Sequence, residues 1–416
     1  MTKSTILHTG RASLCALGEY LRRRCFFAPL REQVTIAQKT VRYRPIDKIL
    51  DALVGILGGA KPMAQSHVTM RTAPAGQRAC GRTGGAEPAT LARPRRACTT
   101  DTVAQLARVS WYDRKRYGAT PPHRCDARLL WVAVDVTPRP IGAQAAGSER
   151  PWRGRTRSKT GRKTLRITAS TSRDILRETL LRGKATAVAA LKMARQEVET
   201  HLGWTRAQRA RIGLRMDGGC GTTAVLHGVL SRGSQVGATI RHAGRVRTLC
   251  PHLGPWQPTS SLGREVAVVF RPPRFWRATR QWVMRPPQET GGYHSAVLRT
   301  TVPELEPTAV ADAYDGRAML AATFCQDKQA LGLGKRRQHT WEAPPLVLLF
   351  ARLAPPLLLG SKPWLSRGPR TRWRLQGYGL VRWLQEVYTV PGGTRWRNPR
   401  HDLLYASASL PRLALG

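Results

Sequence analysis

Apolar residues recur along this chain with two different periods, and the change from one to the other divides it. In "RPIDKILDALVGILGG" Ile46, Ile49, Leu50, Leu53 and Leu57 fall at helical spacing. Pro45 stands at a plausible first helical position and Gly58-Gly59 ends the run, so the pattern predicts a helix over 45–57. "TVAQLARVSWYDRKRYG" predicts another, with Thr100 or Asp101 as its cap. Residues 71–97, between them, are rich in Gly and Arg and have poor periodicity. Residues 1–118 therefore read as a helical, basic N-terminal region. It is either a DNA-binding module or an ordinary structural bundle, since no helix-turn-helix spacing is clean.

From 128 the texture shifts to short apolar, β-branched runs. "RLLWVAVDVTP", "KTLRITAST", "RIGLRMD" and "SQVGATI" predict strands. "TAVAALKMARQEVETHLG" and "TTAVLHGVLSRG" predict helices, the first followed by Gly203. Strands first, then alternating helix and strand, imply an α/β fold with a mixed sheet flanked by helices. This part spans 125–245. Residues 246–303, where Pro, Trp and β-branched residues mix, predict a small antiparallel β-rich insertion. Final helices over 304–360 follow, one of them at 315–331. The run "PPLVLLFARLAPPLLLG" (344–360) reads as a core helix rather than a membrane span, because Arg352 and two Pro pairs interrupt it. The Pro pairs should puncture that helix. Residues 361–416 form a basic tail with four of the twelve Trp and little pattern beyond "YGLVRWLQEVY", and the last twenty residues read as a disrupted end.

Charge narrows the function. The 69 basic residues face 25 acidic ones, for a net charge of +44, and only twelve of the basic residues are Lys. Arg presents a planar fork suited to phosphate, so the excess points to a nucleic-acid partner. The eight Cys are scattered with no C-x-x-C pair, which argues against a zinc ribbon and reads as reduced thiols. No secretory or membrane-spanning segment is legible, so the expected location is cytoplasmic and nucleoid-associated, with no membrane partner.

Two acids stand out by position. Asp135 ends an apolar strand in "VAVDVT", and Asp217 ends another in "LRMDGG". Taken singly, each is better explained as a turn-initiating residue, and neither carries the case alone. Converging on one sheet edge, they could hold Mg²⁺, with Mn²⁺ as a substitute. Read as one helix, "YDGRAMLAATFCQDKQALGLG" puts Tyr314, Arg317, Ala321, Phe324 and Lys328 in a single stripe. Arg317 and Lys328 could grip phosphates, or could be a solvated basic face. The loop "RPWRGRTRSKTGRK" carries Arg153, Arg155, Arg157, Lys159, Arg162 and Lys163, and is either a phosphate-tracking hairpin or a solvated loop. Trp276 and Trp282 could stack an unpaired base, or simply pack the insertion.

Tyr314-x2-Arg317-x3-Ala321-x6-Lys328 resembles the Y-x2-R-x3-E-x6-K signature of DDE transposases from bacterial insertion sequences, with the Glu replaced. "VAVDVT" and "LRMDGG" resemble that family's two Asp motifs, and the resemblance covers about 125–340. It implies a ribonuclease H-like catalytic domain that cleaves and transfers DNA strands by two-metal phosphoryl transfer. Asp135 and Asp217 would be metal ligands, and Tyr314, Arg317 and Lys328 would position DNA phosphates. Double-stranded DNA, as transposon ends and target, would be the partner of a homodimer in a synaptic complex. The catalytic Glu position falls on Ala321, which offers no oxygen to a metal. This copy is therefore expected to be impaired, or to persist as a non-catalytic protein that occupies transposon ends.

Overall fold

The computed structural model describes residues 6–415 apart from 41, 62–64, 66–70, 119, 121–128, 151–159, 221, 241–247, 261–262, 271–279, 286–295, 303–305, 317, 333–338, 361–377, 398–399 and 406–412. The chain divides into two compact units. Met1–Gly118, Ile141–Ala146 and Phe324–Gly416 build the first; Ala119–Pro140 and Gly147–Thr323 build the second.

The first unit begins with β1 (Ile6–Thr9), α1 (Ala12–Arg23), α2 (Ala28–Gln33), α3 (Pro45–Leu57), α4 (Pro74–Ala79), α5 (Pro88–Arg96) and α6 (Thr100–Tyr117). Helix α3 starts at Pro45, where the missing amide costs no helical bond, and stops before Gly58. The cap of α6 is Thr99, one residue earlier than the sequence suggests: its hydroxyl accepts from the Thr102 amide at 3.2 Å. The same unit takes in α12 (Ala343–Gly360), α13 (Leu380–Glu386) and the strands β11 (Gly392–Arg397), β12 (Arg400–Tyr405) and β13 (Leu413–Leu415). Val347, Phe350 and Leu353 of α12 and Trp383 of α13 share one apolar core with Ile49 and Leu53 of α3 and Val109 of α6.

Two expectations change here. The sequence reading joins 304–360 to the sheet-bearing region, yet α12 packs against α3, α5 and α6. It also treats 361–416 as a patternless tail, yet β1 pairs antiparallel with β11 from Ile6↔Arg395 to Thr9↔Gly392, in a sheet of order β1-β11-β12-β13. The pairing joins the two ends of the sequence, which no local periodicity can reveal. Helix α12 is also continuous. Pro344 and Pro345 lie in its first turn, where the absent amides have no helical partner, and it runs on through Pro355-Pro356.

On the core-facing stripe of α6, Asp113 is only 2 % exposed, and neither of its carboxylate oxygens accepts a hydrogen bond. Burial pushes its pKa from 3.8 up to about 7, against a smaller opposing pull from Arg116. The folded state thus holds a proton that the unfolded chain has released. Stability is fully present below the unfolded value and declines as pH rises from about 4 to about 7. Asp113→Asn should flatten that decline, leaving the variant ahead of the parent at pH 8 by on the order of 4 kcal/mol. Urea unfolding at pH 5 and pH 8 measures it; equal pH dependence in the two proteins would contradict the assignment.

The second unit is built on a nine-stranded sheet of order β4-β3-β2-β5-β6-β10-β9-β8-β7. Its strands are β2 (Leu130–Pro140), β3 (Gly161–Ala169), β4 (Ile175–Leu181), β5 (Ile212–Met216), β6 (Gln235–Ile240), β7 (Gln257–Pro258), β8 (Glu265–Val268), β9 (Arg280–Arg285) and β10 (Ala296–Thr300). β2, β5 and β6 run parallel, and the other neighbouring pairs are antiparallel. The expected β-rich insertion over 246–303 is antiparallel, but it is not a separate module: β10 pairs with β6 and extends the same sheet. Helices α7 (Ala187–Leu202), α8 (Arg206–Ala210), α9 (Thr223–Leu230) and α10 (Pro307–Asp315) flank the sheet, and α11 (Ala318–Ala330) follows. Gly203 ends α7 at φ 66°, a conformation that glycine adopts without a Cβ clash. No helix among the described residues is long and apolar enough to cross a membrane.

Candidate functional site

Strand register builds the site. In the parallel β2–β5 pair the last matched residues are Val134 and Met216, so the next step places Asp135 level with Asp217. Neighbouring strands lie about 4.8 Å apart, and residues at matching levels share a face. The structure therefore brings the two sequence-predicted acids to one level of adjacent strands, both half-buried. Asp217 follows the end of β5 as expected, but Asp135 lies in the middle of β2, which runs on to Pro140 in its pairing with β3. Each is held by local backbone. Asp135 Oδ1 accepts from the Val136 amide at 2.8 Å; Asp217 Oδ1 accepts from the Gly219 and Cys220 amides, each at 3.1 Å. The Asp217 bonds are those of a turn-initiating residue, as the Asp217-Gly218 pair suggests.

The same level continues across the sheet. Asp135 pairs with Arg166 on β3, and Arg166 pairs with Glu178 on β4. Arg166 is fully buried, and its Nε and Nη2 donate to Glu178 Oε1 at 2.8 and 2.6 Å. Its Nη1 reaches the Thr323 hydroxyl at 3.2 Å. The helix that carries position 321 is thus tied to the strand beside Asp135. On the other side, the Met216↔Ala238 match puts Thr239 of β6 next to the level of Asp217. The Thr239 and Tyr314 hydroxyls are hydrogen-bonded at 2.6 Å.

This Tyr314 bond corrects the single-stripe expectation. The predicted helix over 315–331 is two helices, α10 and α11, and Tyr314 belongs to the first while Ala321 and Lys328 belong to the second. Gly316 caps α10, and a Cβ there would lie 2.5 Å from Arg215 Nη1, a guanidinium that also donates to the Ala313 carbonyl. Tyr314 is 8 % exposed and packs with Val310, Ala311, Leu298 and Trp282, so its hydroxyl serves the interface between α10 and the sheet. Trp282 is likewise a core residue, while Trp276 lies outside the described residues.

The remaining predicted cations divide. Lys328 is exposed on α11, and Arg317 lies outside the described residues. In the basic loop, Arg153, Arg155, Arg157 and Lys159 also lie outside them. Arg162 and Lys163 are not loop residues: they sit in β3, Arg162 buried and Lys163 donating to the Ala185 carbonyl at 3.0 Å.

Sequence reading overlooks Arg166, Glu178 and Thr239. A signal exists for the first two. "KTLRITAST" places Arg166, and "ILRETLL" places Glu178 beside Arg177, inside apolar runs of two strands joined by a short turn.

Oxygen donors of this kind suit a hard cation such as Mg²⁺, which commonly takes one or two carboxylates and completes its shell with water. Asp135 and Asp217 fit that role. Among the described residues, no group of three His, Cys, Asp or Glu side chains could hold a metal ion. The described cysteines are all free.

No protein-family model matches the chain, and no curated protein matches it. Among solved structures it is similar to a piggyBac transposase, seen by cryo-EM in a synaptic complex with hairpin DNA. Sequence identity is 12 %, the TM-score is 0.42, and the match covers 92 % of this chain and 82 % of that one.

Proposed function

We propose that this chain is a DDE transposase-type protein with a ribonuclease H-like catalytic unit, acting on the ends of a mobile DNA element, and that its own strand cleavage is impaired at position 321. The observation that carries the proposal is the placement of Asp135, within β2, level with Asp217, just past the end of the parallel neighbour β5. Mg²⁺ bound there would polarise a phosphodiester and lower the pKa of an attacking water. The chain's own residues do the rest. Asp217 is aimed by two backbone amides, and the buried Arg166–Glu178 pair fixes β3 and β4 beside Asp135. Thr323 ties the start of α11 to the same Arg166. Lys328, Arg317 and the loop cations Arg153, Arg155, Arg157 and Lys159 would track DNA phosphates through charge-assisted hydrogen bonds.

A second reading, favoured by the methyl group at 321, is a non-catalytic DNA-binding protein that occupies transposon ends. The two readings share DNA binding and differ in chemistry. Purified protein should bind duplex DNA taken from the flanks of its coding region, with a steep fall in affinity between 50 and 200 mM salt. It should leave that DNA intact with Mg²⁺ or Mn²⁺. Efficient nicking by the unaltered chain would overturn the impairment, and salt-insensitive binding would overturn the phosphate-tracking role.

A further inference from the structure

Outside the acidic pair, the second unit contains a cluster of cationic charge, buried at Arg195 and half-buried at Arg209 and Arg232, that the proposed chemistry does not use. Glu199, near the end of α7, is buried and faces two guanidiniums. Its Oε1 lies 3.2 Å from Arg195 Nε; its Oε2 accepts from Arg232 Nε and Nη2 at 3.1 and 2.9 Å. A third guanidinium joins them. Arg209 of α8 donates from Nε to the Arg232 carbonyl at 3.2 Å and from Nη1 to the Trp204 carbonyl at 3.0 Å. Arg195 Nη2 is fixed to the Gly228 carbonyl at 2.8 Å.

Three positive charges thus gather around one negative one. Glu197, the nearest other acid on α7, is engaged with Arg177 at 2.8 Å. Arg195 itself is 5 % exposed, and its Nη1 has no hydrogen-bond partner. Burial, together with the like charges of Arg232 and Arg209, holds its pKa below the ordinary value, although Glu199 pulls the other way. A buried guanidinium with an unused donor beside two further cations is costly unless an anion completes the set. Surface ion pairing cannot account for the arrangement, because backbone carbonyls pre-orient two of the three forks while only one carboxylate is supplied.

The position of the cluster separates it from the acidic pair. Arg209 and Arg232 precede β5 and β6, whereas Asp217 follows β5. Five strand residues put roughly 16 Å between the two ends. Arg206 and Arg211 are exposed nearby along the chain and extend the positive surface around the cluster.

We propose that Arg195, Arg209 and Arg232 form a phosphate-binding site at the starts of β5 and β6, which takes a phosphodiester of a nucleic-acid backbone, with Glu199 as the clamp that orients two of the three forks. The site does not depend on whether Asp135 and Asp217 perform chemistry. The ligand chemistry, a tetrahedral oxyanion, is shared by inorganic phosphate and by DNA, and the test separates them.

Thermal unfolding of the full chain would be followed against inorganic phosphate at constant ionic strength, with chloride as the balancing salt. Melting temperature should rise with phosphate in a saturable way. Arg209→Gln combined with Arg232→Gln should weaken the apparent phosphate affinity at least tenfold. Glu199→Gln, which keeps an amide oxygen to orient the forks but removes the competing charge, should tighten it several-fold. Arg209→Gln alone, at a half-buried side chain, guards against misfolding of the other variants and should still weaken phosphate binding. In parallel, the slope of log affinity for duplex DNA against log salt should become shallower by about 1 in the Arg209→Gln protein. A phosphate effect with an unchanged DNA slope would assign the site to free phosphate. Absence of a saturable phosphate effect, or equal phosphate affinity in all the proteins, would make the cluster a structural clasp and overturn the site. DNA cleavage is not read in any arm, so the outcome is independent of the Asp135/Asp217 proposal.

Discussion

Ala321→Glu should raise metal-dependent nicking of flank DNA by about 10²- to 10³-fold over the unaltered chain, the range seen when a single catalytic group is lost or restored. Asp135 and Asp217 supply two carboxylates at one level of the sheet, and α11, which carries position 321, is linked to the same level through Thr323 and Arg166. A glutamate at 321 would add an anionic oxygen on the helix that the resemblance assigns to the third acid. Asp327 cannot substitute: it is buried, and lies six residues on, about 240° around the helix. Asp315 is likewise committed elsewhere, in an ion pair with Arg264. Asp135→Asn placed in the Ala321→Glu background should return nicking to the parent level. A folded Ala321→Glu protein with no gain would place the defect elsewhere in the chain.

Arg166→Ala should destabilise the second unit by about 3–5 kcal/mol, the cost of stranding a buried charge. Glu178 is 2 % exposed at its side chain, and its contact with Arg166, at 2.6 Å, lies inside the sheet. Removing the guanidinium leaves that carboxylate without its hydrogen-bonded ion-pair partner and breaks the Arg166–Thr323 bond that ties α11 to β3. A fall in melting temperature on the order of 10 °C is expected for a unit of this size. Replacing both partners with Met should cost far less, because no charge is then left stranded. The comparison is informative for function as well. If the pair serves only packing, the double variant will bind DNA and, in the Ala321→Glu background, nick as the parent does. Loss of nicking with stability retained would make Arg166 a positioning residue for the helix that carries position 321.

Local order was legible where one segment decides it. Pro45 and Gly58 bound α3, Gly203 ends α7, and the apolar runs around Asp135 and Asp217 became strands. The break at Gly316 was not legible, because the apolar spacing continues across it. The close approach of Arg215 to Gly316 comes from β5, about a hundred residues earlier in the chain. Arg162 and Lys163 read as loop cations for a similar reason: the basic run gives no sign of where β3 begins.

By itself the sequence determined the charge of the chain, the two acids within apolar runs, the alanine at 321 and the periods that separate helices from strands. Each of these is a property of residue type or of spacing over a few turns. Tertiary structure alone decided that Val134 stands opposite Met216, which puts Asp135 level with Asp217, and that Ile6 pairs with Arg395. It also placed α12 in the same core as α3. Periodicity fixes which face of an element is apolar, but the partner for that face is chosen by non-local hydrogen bonding and burial, and those depend on the whole chain at once.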